Sequence, residues 1–295
     1  MKIKFFIRLF IPPIIINILY NIKRKFVKTT ESPLSQIPHN SKEFVIIGNG
    51  PSLTDTISSY YNDIIEKDRI VVNHFASTDM YELLTPNIYL LVDPAFFYVP
   101  DDSKELIWNT ILSIRDKTTW NLRLIVPLSA KGTVTLNMLS NNRHIQIDYY
   151  NNKNQDIGKI SKFEAWDKNY LAPPAQTVLN VALYLALFWN YKEVFIIGAD
   201  SSFLEDLRID QETNDICIVD SHFYRREDVK DNRLQKNNCR VRNGIALHEL
   251  IYRYGNMFEG YHKLAEYAKY KGIKVYNASE YSWINVFERK KLNRN

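Results

Sequence analysis

Short runs of apolar and β-branched residues, each stopping at a glycine, a proline or a small polar residue, recur along the chain at intervals long enough for a helix. EFVII at 43–47 stops at Gly48, RIVV at 69–72 at Asn73, and IYLLV at 88–92 at Asp93. LRLIV at 122–126 stops at Pro127, EVFII at 193–197 at Gly198, and IKVY at 273–276 at Asn277. Strands that are apolar throughout need cover on both faces, and helices between them supply it. The helices are expected around 60–66, 176–190 and 260–271. The expected fold is therefore α/β, a doubly wound, mostly parallel sheet. At 295 residues and 45% apolar content the chain can bury one large core, and 9 Gly and 11 Pro exclude a low-complexity chain.

Charge and cysteine content narrow the partners. With 38 basic and 33 acidic side chains the net charge is +5, too small and too dispersed for a nucleic-acid footprint. Phosphate-bearing small molecules and anionic lipid remain. Cys217 and Cys239 have neither metal-ligand spacing nor the density of a disulfide framework.

The first 28 residues differ from the rest. Residues 5–20 read FFIRLFIPPIIINILY, interrupted by Arg8, Pro12, Pro13 and Asn17. That is shorter than the roughly 20 residues of a spanning helix, and Lys23, Arg24, Lys25 and Lys28 follow it. Such a segment suits an interfacial anchor on an anionic membrane surface. A hydrophobic arm packed on the domain or on a second copy, and a true span, are the alternatives. Residues 29–41 hold turn formers and read as a linker; 42–290 read as one domain.

In a doubly wound sheet ligands bind beyond the carboxyl ends of the strands, so the residues closing each run matter most. Gly48-Asn49-Gly50-Pro51-Ser52 follows the first, with two glycines to let a phosphate or sugar approach, Pro51 for a helix start, and Ser52 or Thr54 to cap it. The pattern is neither the dinucleotide fingerprint nor a Walker loop, because position 53 is Leu and no G-K-[ST] occurs. Asn73 and His74, Asp93 and Pro94, and Gly198 with Asp200 and Ser201 close the others. Residues 203–254 are charged, lack an apolar period, and read as a lid.

The runs VIIGNGPSL, VNHF, LVDPAFF, AQTVLN, VFIIGADSSF and IKVYNASEYSWINVFER together resemble the bacterial sialyltransferases of glycosyltransferase family 42, over about residues 44–287. They also look like the wider superfamily holding the motility-accessory factors and the archaeal 6-hydroxymethylpterin pyrophosphokinases. The resemblance implies a Rossmann-like transferase that uses a cytidine monophosphate (CMP) ester of a sialic-acid-like or related ulosonic acid. It needs no other cofactor and no metal. Asn49, Gly50, Pro51, Ser52 and Asn73 would line the nucleotide site, with Gly198, Asp200 and Ser201 across from them. Asp93-Pro94 replaces the family's Asn-Pro, and Gln176-Thr177-Val178 stands for its helix-opening Thr-Ser-Gly. Ser202 stands where a phosphate-holding tyrosine is expected, leaving Tyr224, Arg225 and Arg226 as phosphate ligands. Asp220-Ser221-His222-Phe223-Tyr224 looks like the lid's Ser-His-Tyr segment; the family's general-base histidine lies a few residues further on, where this chain has Arg225 and Arg226, so His222 is the expected base in its place. His248, oriented by Glu249, is one alternative, and a carboxylate such as Asp200 or Glu249 is the other.

The implied acceptor is a glycan hydroxyl of a lipooligosaccharide or surface polysaccharide, reached from the cytoplasmic face of the inner membrane; homo-oligomerisation is compatible with this. The rival expectations are a pterin-type pyrophosphokinase, with Asp55, Asp93 and Asp200 as metal ligands, and a non-catalytic nucleotide-binding assembly protein.

Overall fold

A computed structural model of the chain describes residues 34–37, 39–98, 104–152, 162–205, 207–219, 239–241 and 246–294. The expected anchor at 1–28 and the segment carrying His222, Tyr224, Arg225 and Arg226 lie outside these residues.

In chain order the elements are β1 (Glu43–Ile47), α1 (Leu53–Ile65), β2 (Asp68–Val72), α2 (Met80–Leu84), β3 (Ile88–Leu90), α3 (Lys104–Lys117) and β4 (Leu122–Pro127). Then follow α4 (Val134–Leu139), β5 (Ile145–Tyr150), α5 (Lys162–Asp167), α6 (Val178–Phe188) and β6 (Glu193–Ile197). Last come β7 (Leu207–Ile209), β8 (Ile216–Val219), β9 (Cys239–Val241), α7 (Leu247–Lys271), β10 (Lys274–Asn277) and β11 (Glu288–Arg289). Eight strands form one sheet in the order β11-β10-β6-β1-β2-β3-β4-β5, and every pairing in it is parallel.

Side chains alternate across each strand, so one apolar run feeds two cores. Phe44, Ile46, Ile70, Val72, Ile88 and Leu90 pack with Leu183 and Leu187 of α6 and Leu264 of α7. On the other face Val45, Ile47, Val71, Leu124 and Val126 pack with Ile57 and Ile64 of α1 and Ile111 and Ile114 of α3. The expected Rossmann-like, doubly wound α/β fold is what the chain forms.

Several boundaries differ from expectation, each for a physical reason. α1 begins at Leu53, well before residue 60, and bends at Tyr60, where φ and ψ leave the helical range. β5, IQIDYY, was hidden because it is a sheet edge in which polar Gln146 and Asp148 interrupt the apolar run. α7 runs 25 residues from Leu247, so the expected 260–271 is only its second half. Its glycines look like breakers, yet a Cβ at Gly260 would lie 3.1 Å from Asn180 Oδ1, so Gly260 is what lets α7 approach α6. The stretch 203–254, expected to be aperiodic, holds the antiparallel β7-β8-β9 sheet and the first turns of α7. Asp210 forms the β7-β8 turn by accepting from the Glu212 and Thr213 N–H groups at 2.9 and 3.0 Å. No helix among the described residues is long and apolar enough to cross a membrane.

The end of α1 is tied to the far end of the chain. Asp63 accepts from Lys67 Nζ at 2.6 Å and from the Asn293 backbone N–H and Nδ2 at 3.0 and 3.1 Å, while Lys67 also reaches Glu43 at 2.8 Å. Burial alone would raise the Asp63 pKa, but the bonds from Lys67 and Asn293 outweigh it and the net shift is downward. A carboxylate held below its usual range contributes stability above its unfolded pKa and loses it as pH falls through the folded one. The melting temperature should therefore fall in acid below about pH 4, and Asp63→Asn should melt lower at neutral pH with a shallower acid slope. Melting curves of both proteins between neutrality and about pH 2.5 check this; identical slopes would remove Asp63 from the acid response.

Candidate active site at the sheet switch point

From β1 the chain builds outward through β2, β3, β4 and β5, then returns to place β6 on the other side of β1. The reversal between β1 and β6 is the topological switch point, the place where doubly wound sheets open a crevice beyond the carboxyl ends of their strands. The loops bordering it are 48–52 and 198–202.

Hydrogen bonds lock these loops together. Gly48 N donates to Ile197 O at 2.9 Å and Gly50 N to Gly198 O at 2.7 Å. Ser52 donates twice to the buried Asp200 carboxylate, from its backbone N–H to Oδ2 at 3.2 Å and from Oγ to Oδ1 at 2.6 Å. A third loop joins from β10: Trp283 N donates to Asp200 O at 2.8 Å, Ala199 N to Ser279 Oγ at 3.1 Å, and Ser282 Oγ to Ala199 O at 2.7 Å.

This arrangement corrects the expected role of the two glycines. A Cβ on Gly50 would lie 2.2 Å from Asp200 Oδ1 and 2.7 Å from Gly198 O, and one on Gly48 would lie 2.3 Å from Gly198 O. Both therefore make room for the neighbouring loop. Only Gly198 of the three has a positive φ, +59°. Ser52 does sit at the N-cap of α1, but its hydroxyl makes no cap bond; it serves Asp200. Pro51 precedes the helix instead of opening it.

Beside the lock, buried polar atoms lack partners among the described residues. Asn49 Nδ2 donates to Val72 O at 3.1 Å, which orients the amide and leaves Oδ1 without a bond. Asn73, strained at φ +51°, has its Oδ1 in the same condition, while its carbonyl accepts from the Tyr89 hydroxyl. Asn180 Nδ2 and the Tyr261 hydroxyl are the others here. Thr177 caps α6, Oγ1 accepting from Asn180 N at 3.4 Å, and Asn180 Oδ1 accepts from Gln176 N at 3.4 Å. Burial pushes the Tyr261 phenol up to about 12, with the Thr177 and Ser201 hydroxyls opposing it. Leaving such groups unmet costs about 1–3 kcal/mol each, and buried orphans in a native protein call for an explanation such as a ligand.

Of the residues expected at the site, Asn49, Gly50, Ser52, Asn73, Thr177, Gly198, Asp200 and Ser201 thus gather around the switch point. Asp93 does not: two strands from β1, it is exposed and accepts from Ala95 N at 2.9 Å, capping its own turn. Gln176 is exposed beside the α6 start. His248 is exposed in the first turn of α7, and Glu249 closes that helix end by accepting from Ala246 N at 3.1 Å, not orienting the histidine. Among the described residues no three His, Cys, Asp or Glu side chains gather as a metal site. Asn180 and Tyr261 escaped the sequence reading. Their signals were a lone amide in the apolar run VLNVALYLALF and a tyrosine next to a helix glycine.

No protein-family profile matches the chain, and no curated protein matches it. Among solved structures it is similar to a MAf glycosyltransferase from Magnetospirillum magneticum AMB-1, at TM-score 0.50 and 12% identity, covering 89% of this chain and 36% of that one. The likeness is one of fold. The chain spans little more than a third of that protein's length.

The lock yields a double-mutant test. Gly50→Ala should destabilise by roughly 1–3 kcal/mol through overpacking, and Asp200→Ala by a similar amount through unmet Ser52 donors. Because both changes act on the same contact, the double variant should lose at least about 0.5 kcal/mol less than their sum in denaturant titrations. Strict additivity would mean that Gly50 and Asp200 act separately.

Proposed function

We propose that the chain is a glycosyltransferase that moves a sialic-acid-like or related ulosonic sugar from a CMP donor to a glycan hydroxyl, inverting the anomeric centre without a metal. The observation that carries this reading is the pair of orphaned acceptors, Asn49 Oδ1 and Asn73 Oδ1, beside the switch-point crevice. Acceptors need donors, and a cytidine offers its exocyclic amine and two ribose hydroxyls. The hydroxyls of Thr177, Ser201 and Tyr261 extend the polar lining on the β6 side. The neighbour in fold is a MAf glycosyltransferase, which supports transfer chemistry in general; nothing in it singles out family 42.

In this reading the acceptor oxygen attacks the anomeric carbon as the bond to the CMP phosphate breaks, and the base takes the acceptor proton. Positioning and electrostatic stabilisation of the leaving phosphate carry most of the catalysis. His222 is the favoured base, with Tyr224, Arg225 and Arg226 as phosphate ligands and residues 203–254 as the lid region. The segment 1–28 holds the enzyme on the anionic cytoplasmic face of a membrane, where amphiphilic acceptors reside. A pterin-type pyrophosphokinase is disfavoured, because Asp200 is bound to Ser52 and Asp93 to its own turn.

CMP should raise the melting temperature more than UMP, GMP or ADP does, since a ligand of the folded state stabilises it by mass action. Tyr261→Phe removes a buried hydroxyl that makes no full hydrogen bond among the described residues, so the free protein should melt no lower than the parent while its CMP shift shrinks. Equal shifts with all four nucleotides, or a response to ATP with Mg²⁺ alone, would overturn cytidine recognition. For the base, His222→Ala should lower turnover by roughly 10² to 10⁴ with CMP affinity unchanged, and His248→Ala far less. A collapse in His248→Ala with normal turnover in His222→Ala would reverse the two.

A further inference from the structure

On the rim next to Asp200, the loop after β10 carries two aromatic side chains whose polar edges are tied down while much of each ring stays in solvent. Trp283 is 37% exposed and Tyr281 46%. Trp283 Nε1 donates to Glu205 Oε1 at 3.0 Å and to the Tyr281 hydroxyl at 3.0 Å, and that hydroxyl donates to the same Glu205 oxygen. Glu205 belongs to the turn closed by its N–H donating to Ser202 O at 2.9 Å, which also presents Phe203. Phe203, 38% exposed, stacks on Tyr254 of α7 with centroids 5.5 Å apart and planes within 6°. Through its backbone N–H on Asp200 O, Trp283 is fixed to the residue that holds the 48–52 loop.

Aromatic rings exposed beside a carboxylate constrain what can cover them. A purely apolar partner would desolvate the charged Glu205 carboxylate, whose donors Trp283 and Tyr281 both fall on Oε1, and an anionic headgroup or the carboxylate of an acidic sugar would be repelled by it. A neutral pyranose meets both demands: its C–H face stacks on a ring and its hydroxyls donate to the carboxylate. We propose that Trp283, Tyr281 and Glu205, with the Phe203 and Tyr254 pair beside them, form an acceptor subsite that takes a neutral hexopyranose by its C–H face. The assignment as acceptor rests on the glycosyltransfer reading above; the affinity for a neutral sugar does not.

Saturation-transfer NMR on the full chain, with methyl β-galactopyranoside and methyl β-glucopyranoside as probes, tests the subsite alongside the CMP melting shift. Ring C–H protons of at least one probe should receive saturation from the protein. The signal should fall at least about fivefold in Trp283→Ala and persist in Trp283→Phe, with the CMP shift unchanged in both. No transfer to either sugar, or equal transfer in Trp283→Ala, would overturn the subsite even where CMP still stabilises the protein. Transfer to a sugar without any CMP shift would leave the subsite standing and sink the donor reading. Should Trp283→Ala unfold, Glu205→Gln carries the test, and a signal as strong as in the parent protein overturns the proposal.

Discussion

The carboxylate of Asp200 is the group on which the crevice depends. It is buried, it receives both donors of Ser52, and it lies so close to residue 50 that only a glycine fits there. Charge-assisted bonds of this kind are short and strong, and removing one partner leaves a desolvated group behind. Its backbone carbonyl meanwhile holds Trp283, so one residue joins three loops that begin at β1, β6 and β10. The 48–52 and 198–202 loops are thus held against each other through main-chain positions and this one side chain.

The polar side chains beside this lock are unusual in being incompletely bonded. Asn49 and Asn73 are fixed by their neighbours yet keep an acceptor in reserve, and Tyr261 is buried between hydroxyls it does not bond well. A site paid for in stability before any ligand arrives is preorganised, because its groups need not be reordered on binding. The exposed aromatic rim is a different kind of surface, with hydrogen-bonding edges satisfied and ring area still open to solvent.

Much of the architecture could be read from the chain because parallel strands buried on both faces produce continuous apolar runs, and six such runs stood out. β5 did not, being an edge whose apolar run is interrupted by Gln146 and Asp148, and α7 was half hidden by Gly255 and Gly260. The two glycine loops were legible as places where the backbone does something special. What they do was not, since the atoms that forbid a side chain at residue 50 belong to residues 198 and 200. Asn180 and Tyr261 likewise acquire meaning only when α6 and α7 are packed, and Asp93 lost its expected place because a side chain can cap its own turn instead of reaching inward.

The bond between Ser52 and Asp200 spans 148 residues of chain. During synthesis, β1 to β5 can pair and cover one face before residue 198 has been made, yet the crevice has only one wall at that stage. Its second wall, its lock and its rim all arrive with β6 and the segments after it, over the last third of the chain. Contacts of such separation form slowly. Until residue 200 has been made, Gly50 and Ser52 lack the partner that sets the geometry of their loop.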